Sequence, residues 1–258
     1  DAAAAAVTKT SQCGAWRRRR RLRLCAQSLA PARSRRAGRC AARMAGGAEK
    51  EEQQQQQRRA RVVFVLGGPG SGKGTQCARL VSAAGAGVST VCAGELLRAA
   101  AQRDAEIRAT IDRGAIVPGH VTIGLLRDAL RSASRAHAAP PVVLLDGFPR
   151  ALEQAEAFEA ALGAAELVLF FDCPAEELRA RLAGRARTSG RADDDAAVIE
   201  SRLRTFRETS MPVVERYAAL GALRTIDATG APAEVFARFT HALADAQIVP
   251  RAELLSKS

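Results

Sequence analysis

The sequence predicts an α/β domain built on a parallel β-sheet. Three observations carry this prediction: five short apolar runs, segments of helical periodicity between them, and a glycine-rich loop directly after the first run. Strands that alternate with helices form parallel sheets covered by helices on both faces. We therefore expect one domain over residues 61–247 and a short polar tail over 248–258. The five runs are RVVFVL (61–66), VSTVC (88–92), VVLLD (142–146), LVLFFD (167–172) and LRTID (223–227).

Residues 1–60 differ in composition from the rest of the chain. Eleven Arg and one Lys face a single Asp in residues 1–48, so eleven of the twelve net positive charges lie there. QQQQQ follows at 53–57. Such a segment cannot bury enough apolar surface to offset its ordering entropy, and we predict that it is disordered. The folded part is then nearly neutral, and we expect neither nucleic acid nor a membrane as its partner.

Three interpretations of the basic segment stay open. The segment is Arg-rich and poor in acids, as organelle transit segments are, although it holds few Ser. It could be a nucleic-acid-binding arm, whose binding would weaken with salt and disappear on deleting residues 1–43. We favour a third interpretation, in which the working protein starts at Met44. The expected compartment is then the cytoplasm, with the nucleus as a second site, and a plastid or mitochondrion if residues 1–43 are a transit segment.

The segments between the runs have the spacing of helices. VTIGLLRDAL places Val121, Leu125, Leu126, Ala129 and Leu130 on one face.

The six cysteines form no CxxC pair and indicate reduced thiols of an intracellular protein. We expect Cys77, Cys92 and Cys173 to serve as small buried groups.

The glycine-rich loop is the strongest chemical signal. GGPGSGKGT, Gly67–Thr75, joins the first apolar run to a predicted helix. Glycines allow several backbone N–H groups to point into one cavity, and the helix adds its positive N-terminal end. Lys73 supplies a full charge for the outer phosphates of a nucleotide, and Thr75 a hydroxyl near a magnesium ion.

The order and spacing of further motifs extend this signal. Taken together, they resemble the UMP-CMP kinase branch of the adenylate kinase superfamily, of the type with a short lid, over residues 61 to about 240. GxPGxGKGT, with Gly74 between the lysine and the threonine, is the form of the phosphate loop in these kinases. The other motifs are CAGELLR, IVP, DGFPR, FFDCP, TSGRADD and FRETSMPV.

The resemblance implies a fold and an activity. The fold would be that of P-loop NTPases: a five-stranded parallel sheet with helices on both faces, a small monophosphate-binding segment at about 92–122 and a lid at about 184–194. The activity would be phosphoryl transfer from ATP, with Mg²⁺, to UMP, CMP and, as a further acceptor, dCMP. The family is usually monomeric.

The resemblance also assigns residues to the two nucleotide sites. Asp146 would hold magnesium with Thr75, largely through water. The ATP site would comprise Gly70, Ser71, Gly72, Lys73, Gly74, Thr75, Arg185 and Gly230. The acceptor site would comprise Ala93, Arg98, Ala115, Ile116, Val117, Gly147, Phe148, Pro149, Arg150, Gln154, Arg191 and Arg202.

Arginines are the expected catalytic groups, because phosphoryl transfer needs positioning and charge neutralisation more than proton transfer. The planar guanidinium fork suits phosphate oxygens. Arg181 and Arg185 are four residues apart, so they share a helix face, and Arg181 would support the others. Asp193 and Asp194 would cap the next helix or pair with the lid arginines. The predicted catalytic set is Lys73, Arg150, Arg185, Arg191 and Arg202.

The choice of acceptor stays open at this point. Ala93 resembles the pyrimidine branch, whereas Gln154 is the residue that adenylate kinases use for adenine. The segment between Arg98 and Gly114 is several residues shorter than is usual in the family. We expect UMP and CMP, with adenylate kinase activity and a catalytically inactive nucleotide-binding module as the alternatives.

Overall fold

The computed structural model describes residues 60–84, 87–137, 139–189 and 196–250. Its centre is a single sheet of five parallel strands in the order β2-β3-β1-β4-β5. All five predicted runs are strands, so the predicted α/β fold with a parallel sheet is confirmed. The strands are β1 Arg61–Gly67, β2 Val88–Cys92, β3 Val142–Asp146, β4 Leu167–Asp172 and β5 Leu223–Asp227.

Helices follow the strands along the described chain. The helices are α1 Lys73–Ala84, α2 Ala93–Ala101, α3 Ala105–Asp112, α4 Gly119–Ala136, α5 Leu152–Leu162, α6 Ala175–Ser189, α7 Ala196–Thr205, α8 Met211–Ala219 and α9 Pro232–Asp245. A short π-helical segment, Phe206–Ser210, joins α7 to α8. Asp104 caps α3, because its carboxylate accepts hydrogen bonds from the N–H groups of Glu106 and Ile107.

The central strands are buried on both faces, which is why their sequences are continuous apolar runs. One face packs against α1 and α9, in a cluster that includes Val65, Leu169, Leu80 and Phe239. The opposite face carries Phe64, whose ring meets Phe148, Phe158 and Tyr217 edge to face at centroid distances of 5.1–6.0 Å. Helices α5 and α8 therefore cover the second face.

The predicted domain end at residue 247 is two residues too early. Ile248 and Val249 are 4% and 1% exposed and belong to the main core cluster. Arg61 also donates hydrogen bonds to the carbonyls of Gln247 and Ile248. The two apolar residues stand among polar ones, so no periodicity marked them as core.

Two further predictions need adjustment. In α4 the buried residues are Thr122, Ile123, Leu126 and Leu130, and the predicted Val121 and Leu125 are partly buried against a second cluster that includes Leu97. The first six residues of the predicted lid, 184–189, continue helix α6, and the rest of the lid to 194 lies outside the described residues.

Several predictions fall where the structure gives no description. The basic segment up to residue 59, Arg191, the two lid acids and the tail from 251 lie outside the described residues. None of the helices within the described ranges has the length and apolar character that a bilayer crossing requires.

Candidate active site

The glycine-rich loop curls around the ammonium group of Lys73. Gly70 and Gly72 have φ angles of +85° and +86°, a backbone conformation that side chains with a Cβ rarely adopt. Lys73 Nζ donates hydrogen bonds to the carbonyls of Gly67 and Gly68, both at 2.8 Å, and to Ser71 Oγ at 3.0 Å. Ser71 is buried, and its hydroxyl helps to hold Lys73 within the loop.

Burial lowers the pKa of Lys73 to about 8, because the charged ammonium loses hydration inside the loop. The Asp146 carboxylate acts in the opposite direction, and the positive charges of Arg150 and Arg202 lower the pKa further. An anion bound at the loop would stabilise the charged form.

Asp146 ends β3 at the carboxyl edge of the sheet, where parallel α/β folds bind ligands. Its strand neighbours there are Val65 of β1 and Cys92 of β2. A Cβ atom built on Gly74 would lie 3.3 Å from Asp146 Oδ2. The carboxylate therefore faces the start of α1, where Thr75 is exposed.

The two arginines predicted to grip the acceptor phosphate converge. A Cβ atom built on Gly94 would lie 3.2 Å from Arg98 Nη1 and 3.7 Å from Arg150 Nη2. Arg150 Nε also donates a 2.9 Å hydrogen bond to the Gly147 carbonyl. This contact fixes the plane of the guanidinium group at the end of β3.

A narrow pocket of about 50 Å³ extends from these arginines between α2, α4 and the residues after β3. Ten of the twelve predicted acceptor residues line it: Ala93, Arg98, Ala115, Ile116, Val117, Gly147, Phe148, Arg150, Gln154 and Arg202. Pro149 lines a larger cleft beside this pocket instead, and Arg191 lies outside the described residues.

Leu97, Ile111 and Thr122 also line the pocket and were missed by the sequence analysis. Leu97 lies in the motif CAGELLR, in which only Ala93 and Arg98 were assigned to the site. Ile111 and Thr122 lie in no motif that would have indicated a binding role.

Gln154 holds backbone groups on both sides of this pocket. Its Oε1 accepts a 2.9 Å hydrogen bond from the Arg150 N–H, and its Nε2 donates one of 3.1 Å to the Val117 carbonyl. The side chain is 4% exposed. The amide keeps one N–H and one lone pair for other partners, so its predicted role in binding the acceptor base stays a prediction.

A larger cleft of about 600 Å³ opens beside the pocket, in the range of ligand sites. It brings together the phosphate loop, the end of β3 and the arginines of α6 and α7. Predicted site residues that line it are Gly70, Gly72, Lys73, Gly74, Thr75, Arg98, Ile116, Asp146, Gly147, Pro149, Arg150, Arg185 and Arg202. Thr90, Cys92, Gly94, Glu95, Thr205 and Ser210 line it as well and were not predicted.

Arg181 joins α6 to the loop after β5. Its Nη2 donates hydrogen bonds to Glu177, at 2.5 Å, and to the Ala228 carbonyl, at 3.0 Å. Gln76 and Arg79 of α1 donate hydrogen bonds to the carbonyl of Pro232, the first residue of α9, where this loop ends.

Gly230 lies in this loop with φ at +87°, but it is not among the residues that line the cleft. Arg191 lies outside the described residues. The structure therefore brings the other predicted catalytic residues to one cleft, whose lining does not include Gly230.

Comparison with known proteins identifies this arrangement. The adenylate kinase family profile matches residues 65–222, which is more than half of the chain. The chain belongs to the adenylate kinase family. Two relatives illustrate the match: a UMP-CMP kinase of Lentinula edodes and a uridylate kinase of Saccharomyces cerevisiae. They are 43% identical over 195 residues and 44% identical over 161 residues, respectively.

These alignments cover most of each relative's sequence. The Lentinula alignment covers 71% of this chain and 85% of the relative, and the Saccharomyces alignment 60% and 77%. An adenylate kinase isoenzyme 1 of Caenorhabditis elegans is 42% identical over 180 residues, 68% of this chain and 84% of the relative. This member of the adenylate kinase family is thus a nucleotide-binding phosphotransferase, and its relatives are named for different acceptor nucleotides.

The site of this adenylate kinase family member can hold phosphates from two directions. Backbone N–H groups and Lys73 serve the loop side, and Arg98 and Arg150 serve the pocket side. Arg202 lines both spaces. Such a ring of cations neutralises charge on a phosphoryl group that passes between two bound anions.

Proposed function

We propose that this protein transfers the γ-phosphoryl group of ATP to UMP and CMP. One observation carries the proposal: the cleft at the phosphate loop and the narrow pocket adjoin, sharing Arg98, Arg150 and Arg202 in their linings. A donor on the loop and an acceptor in the pocket would thus meet with their phosphates among the same arginines.

The reaction is a direct displacement. An oxygen of the acceptor phosphate attacks the γ-phosphorus, the bond to the β,γ-bridging oxygen breaks, and ADP and a nucleoside diphosphate leave. Lys73 and Arg185 neutralise the donor side, and Arg98 and Arg150 orient the acceptor. Because positioning and charge neutralisation supply most of the catalysis, no side chain has to act as a nucleophile.

Magnesium fits the donor set beside the loop. The Asp146 carboxylate and the Thr75 hydroxyl are hard oxygen ligands on one side of the cleft. No group of three or more metal-binding side chains occurs within the described ranges. Mg²⁺ usually binds through one or two protein oxygens, water and substrate phosphates, so this sparse set suits it. When bound, Mg²⁺ would neutralise charge on the β- and γ-phosphates.

A pyrimidine is the acceptor base that the pocket supports best. Ala93 is 2% exposed at the pocket, and Leu97, Ile111 and Val117 close around the same small space. Several relatives are named UMP-CMP kinase or uridylate kinase, including a UMP-CMP kinase 3 of Oryza sativa that is 45% identical over 180 residues. We further propose that the protein is a monomer of pyrimidine nucleotide metabolism in the cytoplasm.

AMP is a second candidate acceptor. Gln154 lines the pocket and retains an N–H group and a lone pair that could meet a purine edge. Two relatives are named adenylate kinases, from Caenorhabditis elegans and Schistosoma mansoni.

A panel of acceptors tests the proposal. The full chain, with ATP and Mg²⁺, is offered UMP, CMP, dCMP, AMP and GMP separately, and ADP formation is followed. We expect kcat/KM for UMP and CMP to exceed that for AMP by at least about tenfold, since a fitted polar pocket discriminates bases strongly. Preference for AMP would replace the pyrimidine assignment. Tight ATP binding with no turnover would indicate the inactive module.

A further inference from the structure

Two hydroxyl groups of α7 reach across to the acceptor-binding segment. Ser201 Oγ donates a 2.9 Å hydrogen bond to the Arg113 carbonyl. Thr205 Oγ1 lies 2.9 Å from the Ser201 carbonyl of its own helix and 3.3 Å from the Gly114 carbonyl. The single proton of this hydroxyl is thus shared between the helix and the segment.

The backbones approach closely at this contact. Gly114 has φ at +68°, and a Cβ atom built on it would lie 3.1 Å from Arg202 Cγ and 3.2 Å from Ser201 Oγ. A side chain there would push the segment away from α7. The lack of a Cβ and the two hydroxyl contacts act together to keep the segment beside Arg202.

The same region also contacts the arginine at the end of β3. Ser210, in the π-helical segment after α7, donates a 2.9 Å hydrogen bond to the Arg150 carbonyl. Gly114, Arg150 and Arg202 all line both the pocket and the cleft. Hydroxyl groups of one continuous stretch therefore fix backbone carbonyls on two sides of the space where the acceptor phosphate would lie.

We infer that Ser201 and Thr205 are positioning residues for the acceptor. They set the distance between the start of the stretch Ala115–Val117 and Arg202, and they contact no reacting atom themselves. The inference rests on the proposed function in one respect: the pocket must be the acceptor site. It does not depend on which base the acceptor carries.

Loss of the two hydroxyl contacts should raise the KM for the acceptor and leave the KM for ATP nearly unchanged. Neither hydroxyl is bonded to the phosphate loop, because both bond to the carbonyls of Arg113, Gly114 and Ser201. A hydrogen bond of this kind contributes roughly 0.5–1.5 kcal/mol, which is about a two- to twelvefold change in an equilibrium constant. Loss of both contacts should raise the acceptor KM about tenfold.

The experiment compares four variants of the full chain with wild type. Ser201→Ala with Thr205→Val removes both hydroxyls, whereas Thr205→Ser in the wild-type background keeps both hydroxyls and removes only the methyl group of Thr205. Thr240→Val is the matched control, because Thr240 Oγ1 bonds only to carbonyls of its own helix α9, at 3.0 Å. KM for ATP, KM for the acceptor, kcat and Tm are measured with the acceptor that wild type uses best.

We expect the double variant to raise the acceptor KM about tenfold and to change the ATP KM by less than about twofold. Thr205→Ser and Thr240→Val should stay close to wild type, and Tm should change little. Because Ser201 contributes an exposed hydrogen bond, Ser201→Ala alone should fold and raise the acceptor KM about threefold.

Two results would overturn the inference: an unchanged acceptor KM in the double variant, or equal increases in both KM values with a lowered Tm. Preference of wild type for AMP would overturn the pyrimidine assignment and leave this comparison intact. Absence of turnover with every acceptor would overturn both proposals.

Discussion

Lys73 is held in the phosphate loop by two carbonyls and a hydroxyl, and its pKa is lowered to about 8 by burial. The charged form of Lys73 is therefore disfavoured in the loop until an anion binds beside it. A bound phosphate would favour the ammonium form and raise this pKa, so nucleotide binding and protonation of Lys73 are linked.

The linkage predicts how ATP affinity depends on pH. The association constant should be highest below about pH 8 and fall as the pH rises through that value, because free Lys73 then loses its proton. Calorimetry from about pH 7 to about pH 10, in two buffers of different ionisation enthalpy, should show proton uptake on binding in this window. Lys73→Met should bind ATP more weakly and remove the slope; a flat profile in wild type would contradict the lowered pKa.

Helix α6 presents two arginines with different surroundings. Arg185 lines the cleft, and Arg181, which also lines it, is bonded to Glu177 and to the Ala228 carbonyl. The first is placed to neutralise phosphate charge, and the second holds the loop after β5.

Substitutions should separate these roles. Arg185→Ala should lower kcat by about 10²–10³, the usual cost of removing one preorganised charge-stabilising group. Arg181→Ala should act mainly on the KM for ATP, by about tenfold, through the loss of two charge-assisted hydrogen bonds. Steady-state kinetics with ATP varied distinguishes them. Equal effects of both variants on kcat would show that Arg181 acts directly on the phosphoryl group.

The elements show what sequence patterns can and cannot predict. The strands at the centre of the sheet were predictable because they are continuous apolar runs, and the end of β3 placed Asp146 at the ligand edge. The phosphate loop was predictable because its backbone needs glycine at particular positions. The contact of Ser201 with Arg113 was not, since it joins residues 88 positions apart and depends on how α7 packs.

The hydrogen bonds of Gln154 likewise depend on packing that the sequence does not show. Its predicted contact with the acceptor base stays a prediction, and the sequence did not indicate that its amide also bonds to the backbone of Arg150 and Val117. A polar side chain beside a pocket can serve the ligand or the walls. Only the three-dimensional placement of backbone N–H and carbonyl groups distinguishes the two.

At the scale of the whole molecule, the fold is completed by residues after the last helix. Ile248 and Val249 fill the core that α1, α9 and the sheet form, and Arg61 of the first strand bonds to the carbonyls beside them. The two ends of the domain therefore stabilise each other across 187 sequence positions.

The contact between the two ends of the domain predicts that a substitution far from the active site changes stability. Ile248→Ala should lower the free energy of unfolding by about 2–5 kcal/mol, the range for truncating a buried aliphatic side chain. Leu152→Ala is the matched control: Leu152 is 39% exposed, and its loss should cost less than about 1 kcal/mol. Urea unfolding of both variants checks the difference. Equal values would place Ile248 outside the cooperative core.

The aromatic cluster under the sheet has an optical consequence. Tyr217 is the sole tyrosine of the chain, it is 1% exposed, and its hydroxyl donates a 2.8 Å hydrogen bond to Glu159. Burial and the neighbouring carboxylate raise the pKa of this phenol well above its ordinary value. In strong alkali the phenolate absorption band should therefore appear only when the domain opens, which gives the molecule an intrinsic chromophore for following unfolding in real time.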